Sequence, residues 1–350
     1  MAERALRSLH LQIAVVFPGD CQDVCVETVF MLEEGYRTKL VLFVLVANRL
    51  QEEKLILRAY FSFSAAWLLA GLVVSPLSSQ AQESPYIVTY NHYLEEPGNL
   101  EIEYFSAFGT QRSGNNFHAF WTELEYGATA WWTTELYLDG QTTFRDSTVF
   151  TGLRFENRIR PLKREHFINP ILYLEYEKKN GADKILKEVE GHDVESDFLA
   201  PNAEARKDSV HELEFKLILS STVKGWNFAE NIIASKNLSN QPWEFGYALG
   251  ASRPLALKAS AKRCSFCREN FIAGVEMYGG LGDRYSFGLN DTSHYVAPVM
   301  AWNIPSGWTL RLSPGFGLNG NSHAFLLRCG VSREISGFGS AVNRLFKGHP

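Results

Sequence analysis

Between residues 99 and 335 the chain repeats one pattern: short runs of alternating apolar and polar side chains, broken by joints rich in Gly, Pro, Ser and Asn. Trp121–Gly140 shows it most clearly. In its first arm Trp121, Glu123 and Glu125 face one way, and Thr122, Leu124 and Tyr126 the other. In its second arm Trp132, Thr134, Leu136 and Leu138 oppose Thr133, Glu135, Tyr137 and Asp139. Alternation with period two places successive side chains on opposite faces of a strand, so this stretch predicts a hairpin with one apolar and one carboxylate-rich face.

The same rule recurs along the chain. Leu100, Ile102 and Tyr104 oppose Glu101 and Glu103; Leu153 and Phe155 oppose Arg154, Glu156 and Arg158. Leu172, Leu174 and Tyr176 oppose Tyr173, Glu175 and Glu177; Leu213, Phe215, Leu217 and Leu219 oppose Glu212, Glu214 and Lys216. A weaker run at 226–236 and further runs at 243–251, 271–279, 295–303, 308–318 and 324–335 bring the count to about twelve. An even number of amphipathic strands without long apolar helices predicts an all-β, antiparallel transmembrane β-barrel at 99–335. A soluble β-sandwich is the alternative. The joints 127–130, 161–170, 222–225, 254–270 and 304–307 are expected on the periplasmic side. Those at 110–116, 144–148, 180–208, 237–242, 280–292 and 319–323 are expected outside, 180–208 being the longest. Trp131, Trp132, Trp226, Trp302 and Trp308 all lie beside periplasmic joints, as membrane-interface aromatics do, because an indole joins an apolar body to one polar N–H.

The first eighty-odd residues follow other rules. Residues 55–81 have the form of a signal peptide: Lys54 and Arg58 as the positive region, Phe61–Val74 as the apolar region, and Ser79-Gln80-Ala81 as a small-residue exit, with cleavage expected after Ala81. A membrane anchor is the other reading of that run. A bacterial signal rarely begins so deep in a chain, so 1–54 is expected to be an over-extended N-terminus outside the fold, Cys21 and Cys25 included, with translation starting near Leu55 or Leu57. Residues 82–98 read as a polar, aromatic periplasmic lead-in and 336–350 as a C-terminal tail.

Composition changes this picture little. A net charge of −5 over 350 residues gives no basic footprint for nucleic acid, and five cysteines are too few for a disulfide framework. Mean hydropathy of −0.15 is compatible with a barrel, in which only alternate residues meet lipid. The chemistry lies on the inward face. Glu101, Glu103, Glu123, Glu125, Glu135, Arg154, Glu156, Arg158, Glu175, Glu177, Glu212, Glu214, Lys216, Glu244, Glu276, Arg311 and Arg328 are expected to face the lumen, with acids in the majority and Glu123, Glu125 and Glu135 near Arg154 and Arg158. Buried charges must pair or be hydrated, which leaves two readings. One is a hydrated, cation-favouring lumen for passive transport or binding of small solutes. The other is a Glu–Arg network bracing a closed barrel that acts on partners through 180–208.

An outer-membrane hydrolase is a third reading, with His118, His166, His192, His211, Ser293, His294 and His323 as candidate groups. None sits in a catalytic motif: G-x-S-x-G is absent, and Ser293 and His294, being adjacent, point to opposite faces of a strand. No catalytic residue, cofactor or metal ligand is therefore assigned. Cys264 and Cys267 form a C-x-x-C between arginines; a local disulfide is the first expectation in an oxidising compartment, with a redox pair or half a zinc site as alternatives. Cys329 is expected to face lipid.

The stretches EYGATAWWTTELYLDGQ (125–141), TGLRFENRIRPL (151–162), HFINPILYLEYE (166–177), 219–255, RCSFCRENFIAGVEMYGGLG (263–282) and 303–332 resemble a group of uncharacterised bacterial outer-membrane β-barrel proteins. The resemblance spans most of residues 86–338. It implies a barrel in the bacterial outer membrane, with the lipid bilayer, the barrel-assembly machinery and small solutes as partners, and it implies no catalytic residues. Barrels of this kind often end on an aromatic residue at the last strand; here 336–350 run past it, with Phe338 and Phe346 as substitutes.

Overall fold

The computed structural model describes residues 13–15, 24–29, 41–46, 84–110, 116–185, 200–239, 241–261 and 264–347. The signal-peptide stretch 55–81, its cleavage point and residues 186–199 of the longest loop lie outside the described residues. The chain divides into two units, Met1–Pro76 and Leu77–Pro350. In the first, β1 (Ile13–Val15), β2 (Val24–Val29) and β3 (Val41–Val46) form an antiparallel sheet in chain order.

The second unit is a closed barrel of twelve antiparallel strands, each paired with its neighbours in sequence. They are β4 (Leu100–Thr110), β5 (Phe117–Thr129), β6 (Trp132–Thr143), β7 (Thr148–Ile159), β8 (Asn169–Asn180), β9 (Ser209–Val223), β10 (Trp226–Asn237), β11 (Trp243–Pro254), β12 (Phe271–Asp283), β13 (His294–Ile304), β14 (Trp308–Gly317) and β15 (Phe325–Ile335). The pairing of β15 with β4 closes the ring, so no sheet edge is left unpaired in the barrel. The tight-turn end carries the joints 130–131, 224–225 and 305–307 together with the longer 160–168 and 255–270, and the opposite, long-loop end carries the longest joint, 181–208. Two joints have only two residues, Ala130-Trp131 and Lys224-Gly225, and in the second both residues take positive φ (50° and 81°), the geometry of a two-residue hairpin turn that suits strand twist. A register shift between β6 and β7 leaves Thr151 as an extra residue and switches parity: Phe150 and Phe155 both point outward although an odd number of steps separates them.

The exterior is apolar. Leu124, Leu138, Phe155, Leu172, Phe215, Phe228, Leu249, Met277, Met300 and Leu312 project from the successive strands β5 to β14 and remain exposed, Phe155 by 47 % and Leu172 by 51 %. A continuous apolar belt of this extent needs a lipid solvent. At the tight-turn end Trp131 and Trp226 are exposed, and Trp132, Trp302 and Trp308 are half-buried. The guanidiniums of Arg253 and Arg333 lie over the Trp226 and Trp308 rings at 5.8 and 4.9 Å. Leu136 faces out between its cross-strand partners Leu124 and Phe155. Leu136→Arg is expected to destabilise the folded barrel in vesicles by about 2–4 kcal/mol, read by denaturant titration.

Two segments depart from the expectations above. Residues 84–96, expected as a periplasmic lead-in, run inside the barrel instead. Tyr86 packs with Ala229 and Val299, while Tyr90 and Leu94 pack on Ile171, Tyr173 and Ile218. Gly250 makes room for this, since a Cβ there would lie 2.7 Å from the Tyr86 ring. The segment is held because it is aromatic enough to bury and because inward side chains satisfy its peptide groups. The C-terminal tail contains a helix, α2 (Phe338–Lys347), whereas α1 (Asn202–Ala205) is a single turn in the longest loop.

Candidate functional site

All seventeen charged residues named above as lumen-facing point into the barrel, and sixteen are buried; Arg154 is half-buried. Strand register then arranges them in a way that alternation alone does not disclose. Glu334 on β15 is directly opposite Glu101 on β4, Glu101 opposite Glu125, Glu125 opposite Glu135, Glu135 opposite Glu156, Glu156 opposite Glu175, and Glu175 opposite Glu214. Seven consecutive strands thus each contribute one glutamate to a single row. Because barrel strands tilt, a row drawn across them climbs the wall. It starts one residue from the tight-turn end of β15 and reaches Glu214, five residues from the long-loop end of β9.

Like charges directly opposite one another repel, so the row requires cations. Arg158 supplies the main one. Its Nη2 is 2.6 Å from Glu125, its Nε donates to Glu135 at 2.6 Å, and its Nε lies 3.3 Å from Glu156, so one guanidinium braces three consecutive rungs. Arg154 donates two hydrogen bonds to Asp139 and sits 3.6 Å from Glu175, and Lys216 pairs with Glu214 at 2.7 Å. Arg311 holds Glu103 through both carboxylate oxygens, and Arg328 donates to the Tyr278 hydroxyl. The Tyr137 hydroxyl donates to Glu135 at 2.6 Å or Glu156 at 2.9 Å. Acids still outnumber these cations. Among the described residues the carboxylate oxygens converge to within 4.8 Å in three groups, Glu101 with Glu103 and Glu125, Glu123 with Glu125 and Glu135, and Glu175 with Glu177 and Glu214, each of which could hold a cation.

The inner segment leaves one side of the lumen open. Its main-chain anchors are on β10 and β12, it also touches β7 and β8 where the Tyr90 hydroxyl donates to Glu156 and where Tyr90 and Leu94 pack on Ile171 and Tyr173, and alongside it runs a cavity of about 460 Å³. Glu101, Glu103, Glu123, Glu125, Tyr137, Arg154, Arg158, Glu175 and Glu177 line it. Its size falls in the range of about 300–1,000 Å³ typical of small-molecule pockets. The segment's anchors are side chains that bind main chain. Glu276 accepts the backbone N–H groups of Ile87, Val88 and Thr89 at 3.3, 2.9 and 2.6 Å. Asn231 accepts from the Tyr90 N–H at 2.7 Å and donates to the Tyr90 carbonyl at 2.8 Å.

His92 shares a 2.8 Å hydrogen bond with Ser220, and Arg160 donates to the His92 carbonyl. Burial holds the His92 imidazole below the usual histidine range, although Glu165 at 3.6 Å partly opposes this. A released His92 with an ordinary pKa of about 6.5 takes up a proton more readily than the docked one, so acidification favours release. Hydrogen exchange of residues 86–94, corrected for intrinsic rates, is expected to accelerate from pH 7 to pH 5, and His92→Gln is expected to flatten that dependence.

No family model matches the chain, nor does any curated protein. Among solved structures it is similar to an outer-membrane channel from Pseudomonas putida F1 (TM-score 0.48, 10 % identity, covering 71 % of this chain and 100 % of that one). It is also similar to the KdgM porin (TM-score 0.42, 8 % identity, 67 % and 98 %) and the NanC porin (TM-score 0.42, 10 % identity, 67 % and 100 %).

At the long-loop end the lumen fills with apolar side chains: Phe117, Ile233, Tyr278, Tyr295 and Leu326, packed with Trp121, Val88 and Ile185. The described parts of the longest loop fold over this cluster. Gln141 donates to the Ala182 carbonyl at 2.7 Å and accepts from the Lys184 N–H at 2.9 Å, and buried Asn202 bonds Thr143 and Ser147. The histidines are dispersed. His118 stacks on Phe108, His211 is bonded to Tyr176 and Ser209, His294 to Tyr247 and Thr292, and His323 to the Lys184 carbonyl. His166 is exposed, and His192 lies outside the described residues. Cys264 and Cys267 are disulfide-bonded with Cα atoms 5.3 Å apart, and Cys329 is a free, half-buried thiol on β15.

Proposed function

We propose that this chain is a bacterial outer-membrane barrel that binds and passively passes small cationic solutes through its lumen. The glutamate row carries the reading. A rigid wall gains nothing in stability from seven opposed carboxylates, whereas a hydrated track for cations uses them, because each rung offers a partly compensated anion to a passing positive charge. The cavity beside the row gives such a solute room. The inner segment 84–96 and the folded-in residues 182–185 make the passage narrow and off-centre. In this reading the lipid bilayer and the barrel-assembly machinery are the chain's other partners, and 55–81 is the signal that delivers it.

Planar-bilayer recording tests this. Discrete conductance with a reversal potential favouring cations is expected, and Glu101→Gln is expected to move that potential toward zero. Silence in the bilayer, together with no uptake of small cations into loaded vesicles, would sink the proposal. That result would favour the closed barrel acting through 180–208, a reading supported by the anchoring of Ala182, Lys184 and Asn202 inside the long-loop end.

A further inference from the structure

Helix α2 begins three residues after the last strand and has an apolar stripe of its own. Phe338, Ala341, Val342, Leu345 and Phe346 recur at the spacing that places them on one helical face, while Ser340, Asn343 and Arg344 lie on the other. Most of that stripe has no protein against it: Leu345 is 82 % and Phe346 87 % exposed. Only the start of the helix is fixed. The Gly337 N–H donates to the Asn99 side chain at 2.8 Å, the Gly339 N–H donates to the Gly98 carbonyl at 2.9 Å, and the Phe338 ring meets the Tyr126 ring edge-on at 6.3 Å. Tyr126 is the outward residue that follows Leu124 along β5, so the apolar face of the helix continues the barrel's lipid-facing belt. It does so at the tight-turn end, where the exposed tryptophans and the Arg–Trp pairs lie.

We propose that α2 is an interfacial anchor: it lies in the plane of the membrane at the tight-turn end, with Leu345 and Phe346 in the headgroup–acyl boundary and Arg344 toward lipid phosphates. The occupant of its apolar face is lipid. Two features favour this over a protein partner. The stripe is continuous with a surface that already requires lipid, and the helix combines a marked amphipathic contrast with low overall hydrophobicity, the combination that binds bilayer surfaces and does not span them. The proposal depends on the barrel's position in a membrane and not on what passes through its lumen.

The full chain, folded into phosphatidylcholine vesicles with or without phosphatidylglycerol, provides the test. A single environment-sensitive probe is attached at Leu345→Cys, with Cys21→Ser, Cys25→Ser and Cys329→Ser removing every other cysteine outside the Cys264–Cys267 disulfide. Blue-shifted emission is expected, quenched more strongly by brominated lipids than by aqueous iodide, at a depth of about 5–10 Å below the headgroups. Anionic lipid is expected to increase the lipid quenching, and Arg344→Gln to remove that increase. Phe346→Glu is expected to return the probe to water while the barrel keeps its heat-modifiable gel mobility. A probe open to iodide in the folded barrel would overturn the proposal, as would one shielded from both iodide and brominated lipid, the signature of a protein–protein contact.

Discussion

Glu276→Ala is expected to release residues 84–96 from the barrel wall without unfolding the barrel. Glu276 is fully buried on β12, and its carboxylate accepts from three successive backbone N–H groups of the inner segment. Hydrogen bonds to a charged acceptor contribute about 1.5–3 kcal/mol each, so losing the two short ones alone weakens docking by about 3–6 kcal/mol, roughly two to four orders of magnitude in the docking equilibrium. The unsatisfied N–H groups then favour exit to water. The barrel itself does not depend on this carboxylate, because β11, β12 and β13 are joined through their main chains. Hydrogen exchange of residues 86–90 is expected to approach that of an open chain, and conductance through the lumen is expected to rise. Glu276→Gln keeps an acceptor oxygen but loses the charge, and should fall between the two. If Glu276→Ala leaves exchange of 86–90 unchanged, the contacts of Tyr86, Tyr90 and Leu94 hold the segment and Glu276 does not anchor it.

The same segment shows where reading the chain by pattern runs out. Period two was enough to divide inward from outward residues in the strands. Glu123, Glu125 and Glu135 point in, and Leu124 and Leu138 point out, because a pleated backbone leaves a side chain only two directions. Alternation, however, fixes the face and not the row. That Glu135 sits opposite both Glu125 and Glu156 depends on where each hairpin turns, and a one-residue change in the joint 160–168 would break the row between β7 and β8. The inner segment was invisible for a different reason. Its anchors, Glu276 and Asn231, are long-range partners 141–189 residues away that bind main chain, for which no side-chain motif exists. A signal was present all the same. Tyr86, Ile87, Val88, Tyr90, Tyr93 and Leu94 are too apolar for a segment bathed in the periplasm. Likewise Leu217-Ile218-Leu219 and Tyr295-Val296 break alternation where the lumen is packed, as strands buried on both faces do. The amphipathic period of 338–346 was also legible, since five apolar residues fall at helical spacing directly after a strand of period two.

Arg158→Met is expected to be the most destabilising single change within the charged wall. Arg158 lies within reach of Glu125, Glu135 and Glu156, three adjacent rungs of the row, and all four side chains are buried. Methionine approximates the stem of arginine but leaves three carboxylates facing one another without their shared cation. Removing one partner of a buried ionic network costs about 3–5 kcal/mol, more than the loss of an exposed pair by several-fold. The loss should appear as a lower denaturant midpoint for the barrel in vesicles and as earlier conversion to the unfolded band on heating. Arg158→Lys retains the charge but not the planar fork that reaches several carboxylates at once, so partial recovery is expected. The decisive comparison is the double variant Arg158→Met with Glu135→Gln. Glu135 is the central rung and its amide replacement removes the repulsion on both sides, so the double variant is expected to be more stable than Arg158→Met alone although it carries one more substitution. If instead the two losses simply add, the glutamates do not repel one another across the row, and the wall is built from separate pairs. In that case the row has no collective charge to offer a passing cation, and the case for a cationic track falls with it.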